Sequence, residues 1–133
     1  MNRTEIDKLI VNLLGIYNTA KDIHYSCSGP NFYGNHLLSD RIAENLNDYI
    51  DQLKEICLLG RGYEPLKSYD YLVRVVDVIP HTSDFVNIKK LMENTLLMIE
   101  KLTELSKADE NLVGAIAQDI QNNLGLLNIM EGK

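Results

Sequence analysis

Residues 32–59, FYGNHLLSDRIAENLNDYIDQLKEICLL, decide the fold. No proline interrupts them, the only glycine is Gly34 near the start, and Ala43, Leu46, Ile50, Leu53 and Cys57 recur at spacings of three and four. Apolar positions at that period line one side of an α-helix, so the stretch predicts one long amphipathic helix. At about 100° per residue, His36, Asp40, Glu44, Asp48, Asp51 and Glu55 fall in a single sector beside the apolar stripe. An acidic line therefore runs along the edge of the buried face.

That line contains metal-ligand spacing. His36/Asp40 and Asp51/Glu55 are i, i+4 pairs, which project from one face of a helix. With His24 they make a set of imidazoles and carboxylates suited to a transition metal of some hard character, iron above all. Residues 40 and 51 are roughly 16 Å apart along one helix at 1.5 Å per residue, so a single helix cannot bring both pairs to one ion. Two copies packed antiparallel about a two-fold axis can, and symmetry then generates the same site twice. The expectation is a metal centre between subunits.

Upstream, residues 4–26 read as a helix with Ile6, Leu9, Ile10, Leu13, Tyr17 and Ala20 inward, and with Thr4 and Asp7 in capping-box-like spacing. His24 continues that inward face, and Ser28, Gly29, Pro30 and Asn31 turn the chain so that it meets His36. Downstream, residues 84–107 carry a broad apolar face from Ile88 to Leu105, capped by Ser83 or Thr82 after Pro80. A last helix opens at Ala108 or Asp109 and runs through Leu112, Ile116, Ile120, Leu124 and Leu127 to near Gly132. Between them, residues 60–81 are long enough to run the length of the bundle. The expected class is all-α: a ferritin-like four-helix bundle with one long crossover between helices two and three.

Composition bounds the rest. A chain of 133 residues with 45% hydrophobic and 24% charged side chains is expected to be a single domain over residues 1–133. Net charge is −6, without a basic cluster, which makes DNA a poor partner because sequence-independent affinity comes from neutralising phosphates. Apolar runs stay far below the ~20 residues that span a bilayer, and MNRTEIDK has no signal-peptide core, so the cytoplasm is the expected location. Cys27 and Cys57 form neither a CxxC nor a zinc spacing and are expected as free thiols, Cys57 inside the apolar stripe.

The segment IHYSCSGPNFYGNH, Ile23 to His36, followed by LLSD and later by YIDQLKE, resembles the signature of the Dps mini-ferritins. In that family an LHW-type stretch leads to a GPNF turn, then H-x3-D and D-x3-E. His24, His36, Asp40, Asp51 and Glu55 occupy the positions of the family's ferroxidase ligands with the expected residue types. The resemblance implies oxidation of Fe(II), with hydrogen peroxide, at an intersubunit ferroxidase site. It also implies storage of ferric iron in a homo-oligomer, a dodecamer built from two-fold dimers, and protection against oxidative stress. A short helix around residues 68–72 and pore-lining roles for Asp109 and Glu110 are implied in the same way. Tyr25 stands where the family has Trp, Ser26 where Asn is common, and no lysine-rich tail is present to carry over DNA binding. The alternatives are a metal-binding dimer that forms no cage and a structural helical interaction module without catalysis.

Overall fold

The computed structural model describes residues 1–132 and is helical throughout its regular elements: α1 (Arg3–Ser26), α2 (Phe32–Glu44), α3 (Leu46–Glu55), a π turn (Ile56–Gly60), α4 (Ser68–Val75), α5 (Phe85–Glu100) and α6 (Lys107–Met130). α1 is the hub: it packs on α2, α3, α4 and α5, while α6 closes the bundle against α5, α2 and α3. α1, the α2–α3 pair, α5 and α6 make the four long members of a ferritin-like bundle, with α4 in the crossover. Ile6, Leu9, Ile10, Leu13, Ile16 and Ala20 of α1 are fully enclosed, each contributing about 1.5–3 kcal/mol where the side chain is large. Gly15 lets the helices approach, since a Cβ there would lie 3.2 Å from Leu91 and 3.3 Å from Val78.

Helix ends differ from the sequence expectation, because caps depend on which polar side chain reaches the backbone. α1 is capped by Asn2, not Thr4: the Asn2 carboxamide oxygen accepts from the Glu5 N–H at 2.8 Å and Glu5 returns a bond from the Asn2 N–H at 2.9 Å. Glu5 also accepts from the N–H and hydroxyl of Thr103, both at 3.0 Å. That contact, with Glu104 at a left-handed φ of 51°, ends α5 at Glu100 rather than Lys107. α5 starts after Asp84, whose carboxylate accepts from the Asn87 N–H at 2.8 Å, while Ser83 bonds Asp22 instead. α6 opens at Lys107, a residue or two earlier than expected, with Ser106 as its cap and Asp109 completing the capping box.

The long helix expected over residues 32–59 is interrupted. Asn45 leaves the helical ladder at φ −96°, ψ −4°, its N–H turning back to the Ala43 carbonyl, and α3 resumes with the Tyr49 N–H bonded to the Asn45 carbonyl. Asn45 is a short polar residue of the kind that competes with the helical ladder, and its side chain works against the raised pKa of the partly buried Asp119 of α6. Beyond Glu55 the chain widens into the π turn, closed by the Arg61 N–H on the Ile56 carbonyl at 3.0 Å. The Val-rich crossover forms no strand among the described residues. α4 instead runs three residues past the expected 68–72, burying Tyr71 and Val75 and leaving Tyr69, Leu72, Val73 and Val76 exposed.

Candidate metal centre

The turn after α1 sets the site. Gly29 at φ +86° accepts the Phe32 N–H at 3.0 Å and sends α2 back along α1. His24, in the last turn of α1, then meets His36, in the first turns of α2. His24 Nδ1 lies 2.8 Å from the His36 carbonyl oxygen, and His36 Nδ1 lies 2.7 Å from the His24 carbonyl oxygen. A carbonyl only accepts, so both Nδ1 atoms carry hydrogen and donate. In the neutral rings both Nε2 atoms keep a lone pair, the arrangement by which a backbone carbonyl orients a metal-binding imidazole. Neither Nε2 has a hydrogen-bond partner among the described residues.

The rings stack, with centroids 3.6 Å apart and planes 17° from parallel. Phe32 lies near His36 at 5.0 Å, and the edge of Tyr25 meets His24 at 5.1 Å. This has a consequence for stoichiometry. A metal bond lies in the plane of the imidazole, and two nearly parallel planes offer no common point at about 2.0–2.1 Å from both nitrogens. Each ring is suited to its own ion.

Asp40, one turn beyond His36, is not free. Its carboxylate lies 3.3 Å from Lys21 Nζ, and Lys21 also reaches over the Tyr25 ring at 5.3 Å. Asp51 and Glu55 are exposed on α3 and have no hydrogen bond or ion pair among the described residues. No three metal-capable side chains converge within the described residues. One chain thus brings His24 and His36 together, with Asp40 a turn away, and leaves Asp51 and Glu55 apart.

Other sequence readings change. Asp109, expected at a pore, is 1% exposed: Arg61 donates to it at 2.8 and 3.4 Å, and the Ser106 N–H at 3.2 Å. Burial works to raise its pKa, but Arg61 and Ser106 outweigh that and hold the carboxyl below the usual range. Glu110 is exposed. Tyr25 and Tyr33 are exposed, whereas Tyr17 and Tyr49 pack against the core. Cys27 and Cys57 are free thiols, the latter buried as expected. Lys21, three residues before His24 and so on the same helix face, is not singled out by ligand spacing. Among the described residues no helix is long and apolar enough to cross a membrane.

A ferritin-like helical bundle that cross-bonds a histidine of its first helix to the H-x3-D histidine of its second defines the class. Within it, the chain is similar to two curated proteins of Mycolicibacterium smegmatis, both named DNA protection during starvation protein. Each is 29% identical over 133 aligned positions that cover 89% of this chain and 72% of the relative. The chain is Dps-like. No protein-family model matches it, and no solved structure matches it significantly.

Proposed function

We propose that this chain is a mini-ferritin that oxidises Fe(II) with hydrogen peroxide at a site shared between two copies and stores the ferric product within a dodecamer of two-fold dimers. The reading treats residues 1–133 as one bundle domain working in the cytoplasm. The observation that carries it is the reciprocal His24–His36 arrangement, in which each Nδ1 is held by a backbone carbonyl and each Nε2 is left without a hydrogen-bond partner among the described residues.

Iron is the substrate here. His24 would hold one Fe(II), His36 and Asp40 the other, and Asp51 and Glu55 of the partner subunit would complete both. Imidazoles hold the divalent ion while carboxylate oxygens, being hard donors, favour Fe(III), so the mixed set drives oxidation. Two ions side by side give up one electron each. The peroxide O–O bond then breaks with both electrons and two protons taken up, leaving two waters and no hydroxyl radical. That is protection by chemistry rather than by coating nucleic acid, in keeping with the net charge of −6.

A second copy is also favoured by the surface. Tyr69, Leu72, Val73 and Val76 form an exposed apolar stripe on α4, and Leu58 and Leu59 stand exposed on the π turn. Contiguous apolar surface of this kind marks an interaction site.

The test is Fe(II) loading without oxygen followed by peroxide, read as ferric absorbance, together with native mass. Wild type should consume two Fe(II) per peroxide and run as a dodecamer, and His24→Ala and Asp51→Ala should each lose most of the rate. A His24→Ala variant that oxidises iron as fast as wild type sinks the reading. A native mass of a dimer sinks the shell alone.

A further inference from the structure

A cavity of about 320 Å³ lies between α1, the segment just past α4, and α5, and none of the proposed iron ligands lines it. That volume is within the range of small-molecule sites, roughly 300–1,000 Å³. Its most deeply enclosed polar group is Asn12, 6% exposed. Asn12 Nδ2 donates to the Thr95 hydroxyl oxygen at 3.1 Å, and that hydroxyl spends its own hydrogen on the Leu91 carbonyl at 2.8 Å. Thr95 therefore only accepts from Asn12, which fixes the carboxamide with its nitrogen on Thr95 and its oxygen turned away from it. The oxygen accepts nothing among the described residues. Nor is it sealed in, as the unpartnered oxygens of Tyr63, Asp119 and Asn128 are. An enclosed acceptor without a donor is an open hydrogen-bond position.

Around Asn12 the walls are apolar, from Val11, Val78 and the half-buried Met98. Lys8, Arg74 and Asp77, all exposed, stand at the rim. None of the three is in an ion pair among the described residues, so the rim carries a net positive charge on a chain whose own net charge is −6. From floor to rim the order is acceptor, apolar slot, cations. We propose that this cavity binds a small aromatic carboxylate that carries a hydroxyl or N–H donor at the end opposite its acid group. The donor bonds the Asn12 oxygen, and the ring lies against Met98, whose thioether makes favourable contacts with aromatic edges. The carboxylate meets Lys8 and Arg74, the latter with a guanidinium fork that matches a carboxylate. Asp77 disfavours a second acid group, and a plain fatty acid would leave the Asn12 oxygen unpaired. The site stands whether or not the chain oxidises iron.

Para-hydroxybenzoate is the probe, with benzoate and para-hydroxybenzyl alcohol as controls that each lack one end. Each is titrated into the whole assembled protein isotopically labelled at its methionine methyls, with Met98→Leu to assign the signal. The probe should shift the Met98 methyl through the ring current and leave Met1, Met92 and Met130 in place. Its dissociation constant should be on the order of 1 mM, as suits so few atoms. Each control should bind roughly fivefold more weakly, the size of one lost hydrogen bond or exposed charge contact. Arg74→Gln, a change at an exposed position, should weaken the probe by roughly threefold to fivefold and leave para-hydroxybenzyl alcohol unaffected. Asn12→Leu should erase the preference for the hydroxyl while benzoate still binds. An unmoved Met98 methyl at about ten times the expected constant overturns the proposal. So do benzoate binding as tightly as the probe in wild type, an Arg74→Gln titration identical to wild type, and a hydroxyl preference that survives Asn12→Leu. The wild-type and Arg74→Gln titrations alter no buried residue, so they decide the matter even where Asn12→Leu fails to fold.

Discussion

Arg61→Met tests whether Asp109 is a buried anchor or an acid free to line a pore. Asp109 keeps only 2% of its side-chain surface in solvent, and Arg61 keeps 27%. Replacing the guanidinium by a thioether removes bonds at 2.8 and 3.4 Å to the carboxylate and one at 3.1 Å to the Met1 carbonyl, leaving the Ser106 N–H at 3.2 Å and the Met1 ammonium at 3.8 Å. Removing one partner of a buried ion pair costs about 3–5 kcal/mol. The solvent-facing side of Arg61 sets the lower end, about 3 kcal/mol. At roughly 3–5 °C per kcal/mol for a chain of this size, Tm should fall by about 10 °C. The sign with pH follows from the depressed carboxyl pKa. The stabilisation is present above the unfolded-state value of about 3.9 and is lost as pH falls through the still lower folded value. The gap between wild type and Arg61→Met should therefore be full at neutral pH and shrink in strong acid. Far-UV circular dichroism melts at fixed protein concentration measure it, and Asp109→Asn added to Arg61→Met should recover part of the loss. A cost below about 1 kcal/mol, or a gap that acid leaves unchanged, would refute the anchor.

Two smaller tests probe other buried polar groups. Tyr71→Phe deletes the hydroxyl that donates to the buried Asp7 at 3.0 Å and accepts the Leu66 N–H at 3.2 Å. Leaving those groups unpaired should cost about 1–3 kcal/mol in a urea titration, and a wild-type midpoint would show that water replaces the hydroxyl. Asp119→Asn works in the opposite direction. Burial raises the Asp119 pKa, opposed by Asn45 and Arg41 and aided by Glu44, and one of its oxygens is buried without a hydrogen-bond partner. A folded-state pKa above the unfolded one means that stability is lost as pH rises through that value. The amide should raise Tm at neutral pH and give no advantage once acid has protonated wild type; equal gains at both pH values would show that charge is not the cause.

What was legible in the chain is what periodicity encodes. Ile116, Ile120, Leu124 and Leu127 announce α6, and Ala43, Leu46, Ile50 and Leu53 announce the α2–α3 pair, because each set lies on one buried stripe. The same stripe hides the break at Asn45, because its apolar positions keep their spacing on both sides of it. Caps escaped for a related reason. Ser83 and Asp84 are both good N-caps by type, and only the fold decides that Ser83 is spent on Asp22. At the site, spacing sufficed to set His24 beside His36, since both lie within a turn of a short link. Spacing could not show that each imidazole is aimed by the main chain of the other residue. That detail matters for the experiment on His24. Because the acceptor for His36 Nδ1 is the backbone carbonyl of residue 24, His24→Ala removes the proposed ligand and a stacking face while His36 keeps its hydrogen bond. A lost oxidation rate in that variant therefore reports a missing ligand, where a side-chain to side-chain bond would have let the second ring drift as well.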